Sequence, residues 1–431
     1  MQYFSSERIW RWAQKAGFAI ADQGLFSGSH FVVNLMLARW LTPVEFGAFA
    51  FSVSILLLVI SVHNAIFTDP MMVFGSGRYR GNLPQYLGIL LLGHCVVTSV
   101  MALILAAIAY AVFHFFSVQT AKAILALAVS CPFILLLFLL RRVFYIRLDP
   151  ASAAVGGAAY LFVLVGSGYC LHVANALSPS SAFLCMGLSA LITSLFFLYR
   201  LRPTPLRSPV SEITTVCRDH YNYCRWTLAA VAVGWLPTNI YYFVLPLWKG
   251  LAAIAVLKAL NTVLQVSFQT NAVLALLATP LLSRRFNEDK GKMFLLARTF
   301  LILAVIANAV FYGFLLIFPK QILGLFYGAR YVDAYPLLRI MGLLAISTGF
   351  SAVMGTVLRA MERPDRIFQC SVVTLVATLT IGIPLTAHAG VEGAIMANVI
   401  VSCINGISLF VAYSISMRQG SPASTRLGRA G

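Results

Sequence analysis

A stripe of polar side chains marks one predicted transmembrane helix in the second half of the chain. Its members are spaced at i, i+3, i+4, i+7 and i+11: Lys258, Asn261, Thr262, Gln265 and Gln269. At about 100° per residue, this spacing places all of them on one face of a helix. A lysine at the bilayer centre costs at least about 2.5 kcal/mol, so this face must meet protein or water. The stripe therefore predicts a water-filled cavity, with interhelical hydrogen bonding as the alternative.

Two ionisable residues are predicted to lie at the same depth in the first two spans. Asp22 lies about five residues from the cytoplasmic end of the first span and is the only acid well inside a span. His63 reaches that depth in the second span, which runs in the opposite direction. Because such acids in transporters commonly relay protons or cations, Asp22 and His63 are predicted to approach each other and to couple ion movement. The alternative is structural: Asp22 is held neutral, or pairs with His63 to lock two helices together.

His30 and Asn34 form an i, i+4 pair further along the first span. They are predicted to line the same cavity as the stripe, although a hydrogen-bonded histidine in the core is an equally good interpretation. The candidate substrate-binding residues are therefore Lys258, Asn261, Gln265, Gln269, His30 and Asn34.

The sequence lacks the residue patterns of catalysis, cofactor binding and metal binding. It has no phosphate-binding glycine loop and no nucleophile with its base, and its eight cysteines show no metal-site spacing. We therefore expect no catalytic residue, no cofactor, no metal and no enzymatic activity.

The elements that position these residues are predicted to be transmembrane helices. The chain is 60% hydrophobic and 10% charged, far from the roughly 25% charged residues of soluble domains. Twelve stretches of about 20 apolar residues are each long enough to cross a bilayer as a helix. The spans fall near 17–38, 46–67, 86–113, 121–140, 151–173, 182–199, 226–247, 250–275, 294–318, 334–358, 367–388 and 391–413. The predicted fold class is an all-α polytopic membrane protein.

The distribution of basic residues predicts the orientation. If the N-terminus is cytoplasmic, 24 of the 31 Lys and Arg residues fall in cytoplasmic segments and six fall outside, while Lys258 is left within a span. Basic loops stay cytoplasmic during insertion, so both termini are predicted to be cytoplasmic. Topology and contact with anionic membrane lipid account for the net charge of +18, and no nucleic-acid partner is expected.

A proline-containing cytoplasmic connection divides the twelve spans into two lobes of six helices. Pro203, Pro205 and Pro209 lie in this connection. The predicted organisation is an N-terminal lobe at 1–205, an inter-lobe linker at 206–225, a C-terminal lobe at 226–415 and a disordered cytoplasmic tail at 416–431.

Four short segments resemble one family of transporters. They are LARWLTPVEFG at 37–47, ILGLFYG at 322–328, LRAMERP at 358–364 and GVEGA at 390–394. The chain is similar to the oligosaccharide (O-antigen, Wzx-type) flippases of the multidrug/oligosaccharidyl-lipid/polysaccharide (MOP) exporter superfamily. Met361 and Glu362 depart from the family pattern, which has a small residue and a glycine there.

The resemblance implies a function in surface polysaccharide synthesis. Relatives move a polyprenyl-diphosphate-linked glycan from the cytoplasmic to the outer leaflet by rocking two six-helix lobes around a cationic cavity. Lys258 looks like the cation that some relatives place on helix 8, where it would meet the diphosphate. The implied location is the cell inner membrane, and the implied partners are a polysaccharide polymerase and glycosyltransferases. The alternatives are a multidrug or toxin extruder of the same fold and a non-transporting scaffold protein.

Overall fold

The computed structural model describes residues 6–204 and 210–419. The chain divides into two compact units, Met1–Ala232 and Val233–Gly431. Almost all described residues of both units are helical.

The first unit is built from seven α-helices and the start of an eighth. These are α1 (Ser6–Trp40), α2 (Pro43–His63), α3 (Asp69–Ser76), α4 (Leu83–Phe115), α5 (Val118–Ile146), α6 (Pro150–Val173), α7 (Pro179–Leu201) and α8 (Val210–Asn239). A π-helical turn, Asn64–Thr68, joins α2 to α3, and a 3-10 turn, Arg80–Asn82, precedes α4. Helix α5 is central: it packs against α2, α4 and α7, while α1 packs against α6.

The second unit begins within α8 and continues through eight further helices. These are α9 (Tyr241–Lys249), α10 (Leu251–Glu288), α11 (Lys290–Ile317), α12 (Pro319–Tyr327), α13 (Tyr335–Met341), α14 (Leu343–Ala360), α15 (Pro364–Ala377) and α16 (Ile383–Gln419). A 3-10 segment, Gly328–Ala334, and a π-turn, Thr378–Gly382, complete it. Helix α14 is central here and packs against α10, α11 and α16.

Helix starts follow local sequence signals. Thr42 caps α2 in a capping box with Glu45, whose carboxylate accepts from the Thr42 backbone N–H at 2.9 Å, and Pro43 occupies the first helical turn. Ser178 caps α7 in the same way, again with a proline in the first turn. Such caps satisfy the unpaired N–H groups at helix starts, and they therefore define the residues at which α2 and α7 begin.

The prediction of an all-α polytopic protein is confirmed. Ten helical segments in the described part of the chain are long and apolar enough to span a membrane. The last of them, Pro364–Met417, contains two of the predicted spans, because the backbone breaks at Gly390 (φ 61°, ψ −129°). The first predicted span lies in α1, which is 35 residues long but is not among the ten.

The ends of the predicted lobes differ locally from the structure. Residues 205–209 lie outside the described residues, and 210–225, predicted as linker, are the first turns of α8. The predicted disordered tail, 416–431, begins inside α16, which continues to Gln419. Residues 420–431 lie outside the described part of the chain.

Candidate functional site

The polar stripe of the second unit lies on α10 as one continuous helical face. Gly250 starts this helix with a positive φ of 73°, which separates it sharply from α9. Lys258, Asn261 and Gln269 are half-buried, and Gln265 is exposed. The sequence prediction that these side chains share one helix is therefore confirmed, and the face they form is partly accessible.

Lys258 is a cation without a counter-charge. Its ammonium forms no hydrogen bond and no ion pair with any residue in the described part of the chain, and only its backbone carbonyl is bound, by Thr262 Oγ1 at 2.9 Å. Asn261, one turn away, donates from Nδ2 to the hydroxyl of Tyr242 in α9 at 2.8 Å. Helix α10 thus presents an available positive charge beside polar groups that α9 holds in place.

Helix α10 also has a second polar face, which the sequence argument missed. Ser267 donates to Asn308 Oδ1 at 2.5 Å, and Asn308 Nδ2 donates to Asn271 Oδ1 at 2.8 Å. All three side chains are buried, and Gly349 of α14 makes room for them: a Cβ there would lie 2.4 Å from Asn308 Nδ2. This face joins α10 to α11 by hydrogen bonds. The i, i+4 spacing of Ser267 and Asn271, opposite the stripe, was the available signal.

Asp22 is held by an arginine in the first unit. Its carboxylate accepts from Arg141 Nε, 2.9 Å from both oxygens, and from Arg141 Nη2 at 2.8 Å. The Tyr145 hydroxyl donates to the same carboxylate. Both charged side chains are almost completely buried, and the guanidinium lies 4.2 Å from the ring centroid of Phe26. Asp22 is therefore part of a closed, buried ion pair.

The predicted contact between Asp22 and His63 is not formed, because each residue has another partner. Sequence analysis ended the fourth span at residue 140 and placed Arg141 in a cytoplasmic loop. Helix α5 instead continues to Ile146, which brings the Arg141 guanidinium to Asp22. His63 lies with Nε2 3.0 Å from Nδ1 of His94 in α4. The proposed ion-coupling roles of Asp22 and His63 stay predictions.

His30 and Asn34 lie in α1 and are half-buried. The His30 ring packs edge-on against Phe26, with centroids 5.1 Å apart, and lies 6.0 Å from Tyr160 of α6. Asn34 Nδ2 donates to the His30 carbonyl at 2.7 Å. Their surroundings are those of a polar-aromatic cluster within the first unit, and their role in substrate binding stays a prediction.

The first half of α8 is tied to the loop that precedes α4. Asp219 accepts from Arg78 Nη1 at 2.5 Å and from Tyr79 at 2.8 Å. Partial burial alone would raise the pKa of Asp219, but these two donors lower it. His220 bonds the Tyr86 hydroxyl at 2.7 Å and the Ile66 carbonyl at 2.8 Å, and burial lowers the pKa of its ring.

Comparison with solved structures identifies the fold. A multidrug resistance MATE family transporter of the MOP superfamily, in an inward-facing conformation, superposes with a TM-score of 0.75 at 14% identity over 92% of this chain and 97% of its own. The lipid II flippase MurJ, in an inward closed conformation, gives 0.73 at 11% identity over 92% and 87%. A MOP superfamily transporter from Pyrococcus furiosus, described as having a binding pocket of reversed polarity, gives 0.61 at 14% identity over 94% of each chain.

The fold is therefore that of the MOP superfamily transporters. No family model matches the sequence, and no curated protein matches it.

Proposed function

We propose that this protein is a transporter that flips a polyprenyl-diphosphate-linked oligosaccharide from the cytoplasmic to the outer leaflet of the cell inner membrane by alternating access. The observation that carries the proposal is Lys258, a half-buried ammonium on α10 with no partner in the described chain. Partial burial makes a charged ammonium unfavourable unless an anion lies beside it. Because the described chain supplies no such anion to Lys258, an anionic substrate would stabilise the charge while it is bound.

The chemistry of the stripe fits the head of such a lipid. The ammonium of Lys258 would bind a diphosphate oxygen through a charge-assisted hydrogen bond. The amides of Gln265 and Gln269, about two and three turns from Lys258 on the same face, offer donors and acceptors for sugar hydroxyl groups. The polyprenyl chain would stay in the bilayer, so only the polar head needs a polar path.

A multidrug extruder is the main alternative, because a MATE transporter shares the fold. Cationic drugs would need an available carboxylate in the substrate path. Asp22, the acid inside the first span, is occupied by Arg141 and Tyr145, and the stripe of the second unit offers a cation instead. These charges favour an anionic substrate over a cationic one.

The proposal is tested by deleting the gene and determining what accumulates. We expect a lipid-linked oligosaccharide to build up on the cytoplasmic side, since glycosyltransferases would supply it and an outer-leaflet polymerase would no longer receive it. Complementation with the wild-type chain should clear it. Unchanged lipid-linked glycans together with increased sensitivity to cationic drugs would instead support the extruder. Export that depends on the protein's presence but not on any substitution along the stripe would support a scaffold.

A further inference from the structure

A buried histidine pair lies where α2 passes into its π-helical turn. His63, the last residue of α2, is fully buried, and His94 of α4 is 3% exposed. Nε2 of His63 lies 3.0 Å from Nδ1 of His94. The turn that follows, Asn64–Thr68, is π-helical, and π-turns inside α-helices occur frequently at functional sites.

The hydrogen bonds of the pair define where its protons lie. His94 bonds the backbone of Pro132 in α5. Because proline has no backbone N–H, its carbonyl accepts and His94 donates, through the ring nitrogen that faces away from His63. A neutral imidazole has one donor and one acceptor nitrogen. With His94 donating to that carbonyl, we assign Nδ1 of His94 as the acceptor of Nε2–H from His63, which leaves Nδ1 of His63 without a proton.

This unprotonated nitrogen is buried and available. Nδ1 of His63 has no hydrogen-bond partner in the described chain, and the same is true of two other buried atoms of this short segment, Oδ1 of Asn64 and Oγ1 of Thr68. Buried polar atoms are nearly always bonded, so three unpartnered ones within residues 63–68 indicate a site for a small polar ligand. Each of the three can accept a hydrogen bond.

Within the described residues, no carboxylate forms a hydrogen bond or an ion pair with either histidine. His94 is the only described residue whose charge acts on His63. From α5 the contact is a backbone carbonyl, and from α8 His220 bonds the Ile66 carbonyl of the turn. Asp69, which follows the turn, is exposed, and the charge that acts on it is Arg142. Among the described residues, the imidazole of His94 is therefore the titratable group in direct contact with His63.

We propose that His63 and His94, with the π-turn Asn64–Thr68, form a buried proton-binding site, and that this site rather than Asp22 carries proton coupling. The coupling rests on the proposed transport function, whereas the binding of the proton does not. A hydronium ion gives its proton to Nδ1 of His63 and leaves as water. The imidazolium then donates through Nε2–H to His94, and its new Nδ1–H is a donor within a segment that holds two other unpartnered buried atoms, Oδ1 of Asn64 and Oγ1 of Thr68.

The turn provides a route from proton binding to helix movement. The carbonyls of Ala65 and Ile66 accept from Thr227 Oγ1 at 3.4 Å and bond His220 Nδ1 at 2.8 Å. Both partners belong to α8, the helix that continues across the boundary into the second unit. A charge on His63 changes the hydrogen bonding of the turn and so acts directly on α8.

Proton binding is tested on the full-length protein without substrate. Proteoliposomes on a solid-supported membrane are exposed to a pH jump, and the transient charge displacement is recorded. We expect the wild type to give a transient that His63→Gln and His94→Gln lose. His114→Gln is the matched control, because His114 is exposed and lies on the same helix as His94, about 30 Å away along its axis; it should keep the transient. The proposal would be overturned if Asp22→Asn lost the pH-jump transient while His63→Gln kept it. A transient that depends on His63 but follows a jump in sodium concentration would also overturn it.

Two further measurements separate the site from the transport function. In wild-type protein labelled with 15N-histidine, the imidazole spectrum at neutral pH should show His63 protonated at Nε2 and unprotonated at Nδ1. The opposite tautomer would overturn the assignment without any variant. In flipping assays, His63→Gln should lose stimulation by an imposed pH gradient. If wild-type vesicles show the pH-jump transient but flip no lipid-linked glycan, the proposed substrate fails and the proton site stands.

Discussion

Two charged side chains within the helices, Lys258 and Asp22, have opposite surroundings. The Asp22 carboxylate is enclosed by donors from Arg141 and Tyr145, whereas the Lys258 ammonium has no partner in the described chain. Removing one partner of a closed, buried ion pair is strongly destabilising, because it leaves an uncompensated buried charge. Removing the Lys258 side chain leaves no charged partner behind in the described chain, so it carries no comparable penalty. The two residues therefore predict different outcomes on substitution.

Lys258→Ala should abolish glycan export while the protein remains folded and inserted, and Lys258→Arg should keep part of the activity. The reason is that charge, more than shape, is needed to bind a diphosphate at low local dielectric. Export is measured in the deletion strain at matched expression. Lys122→Ala, which removes an exposed lysine near the start of α5, is the control and should export normally. Wild-type export by Lys258→Ala would refute the assigned role.

Asp22→Asn should lower stability by about 3–5 kcal/mol, since it leaves the Arg141 guanidinium buried without its counter-charge. Thermal unfolding of the purified protein in detergent measures the loss. The double variant Asp22→Asn with Arg141→Gln should recover part of it, because neither charge then remains alone. If Asp22→Asn unfolds like the wild type but no longer responds to a pH gradient, the carboxylate is a proton carrier and not a structural partner.

Helix α8 is the element that connects the two units through continuous secondary structure. Its first half is held to the first unit by Asp219 and His220, through bonds to Arg78, Tyr79 and Tyr86. Arg78, Tyr79, Asp219 and His220 lie outside the candidate membrane spans, whereas Tyr86 lies near the start of the span Arg80–Phe115. The attachment of α8 therefore depends on two titratable groups, the partly buried Asp219 and the buried His220, and this gives it a pH dependence of its own.

Protection of α8 against hydrogen exchange should fall as the pH drops from 7 to 5. Burial lowers the pKa of His220 in the folded state, so below its unfolded value of about 6.5 the detached, protonated form gains relative stability. The lowered pKa of Asp219 acts only at more acidic pH. Exchange of residues 213–224 is followed by mass spectrometry. In His220→Asn, protection should stay constant between pH 7 and pH 5. If protection in this variant falls with pH as steeply as in the wild type, another group causes the effect.

At the scale of the whole molecule, the fold is shared with transporters that have inward-facing, inward-closed and outward-facing conformations. The proposed cycle requires that the stripe of α10 faces water in at least one such state. The stripe residue Gln265 and its neighbour Val266 are both exposed, and they point about 100° apart around the helix. They therefore distinguish a water-facing surface from a lipid-facing one.

Gln265→Cys should react with a water-soluble maleimide in membranes, and Val266→Cys should react much more slowly. The background is a variant with all eight native cysteines replaced, since several of them are exposed. Added lipid-linked glycan should protect Gln265→Cys from labelling. Equal labelling of both positions, with no protection, would place the stripe outside the substrate path.

The all-α polytopic class and the common helical face of the α10 stripe could both be predicted from the amino-acid sequence. Both follow from patterns within single segments: runs of about 20 apolar residues and a period of 3.6. The helix ends, marked by Pro43 and Gly250, were likewise encoded locally.

Which polar groups meet depends on how the helices pack against one another. Asp22 and Arg141 are 119 residues apart, and the pairing of His63 with His94 also joins different helices. A hydropathy pattern gives the depth of a residue but not which neighbour its helix faces. The pairing of Asp22 was mispredicted for this reason, because Arg141 was assigned to a loop by its charge. In the folded chain the buried Asp22 carboxylate compensates the charge of Arg141, so α5 continues past this residue to Ile146.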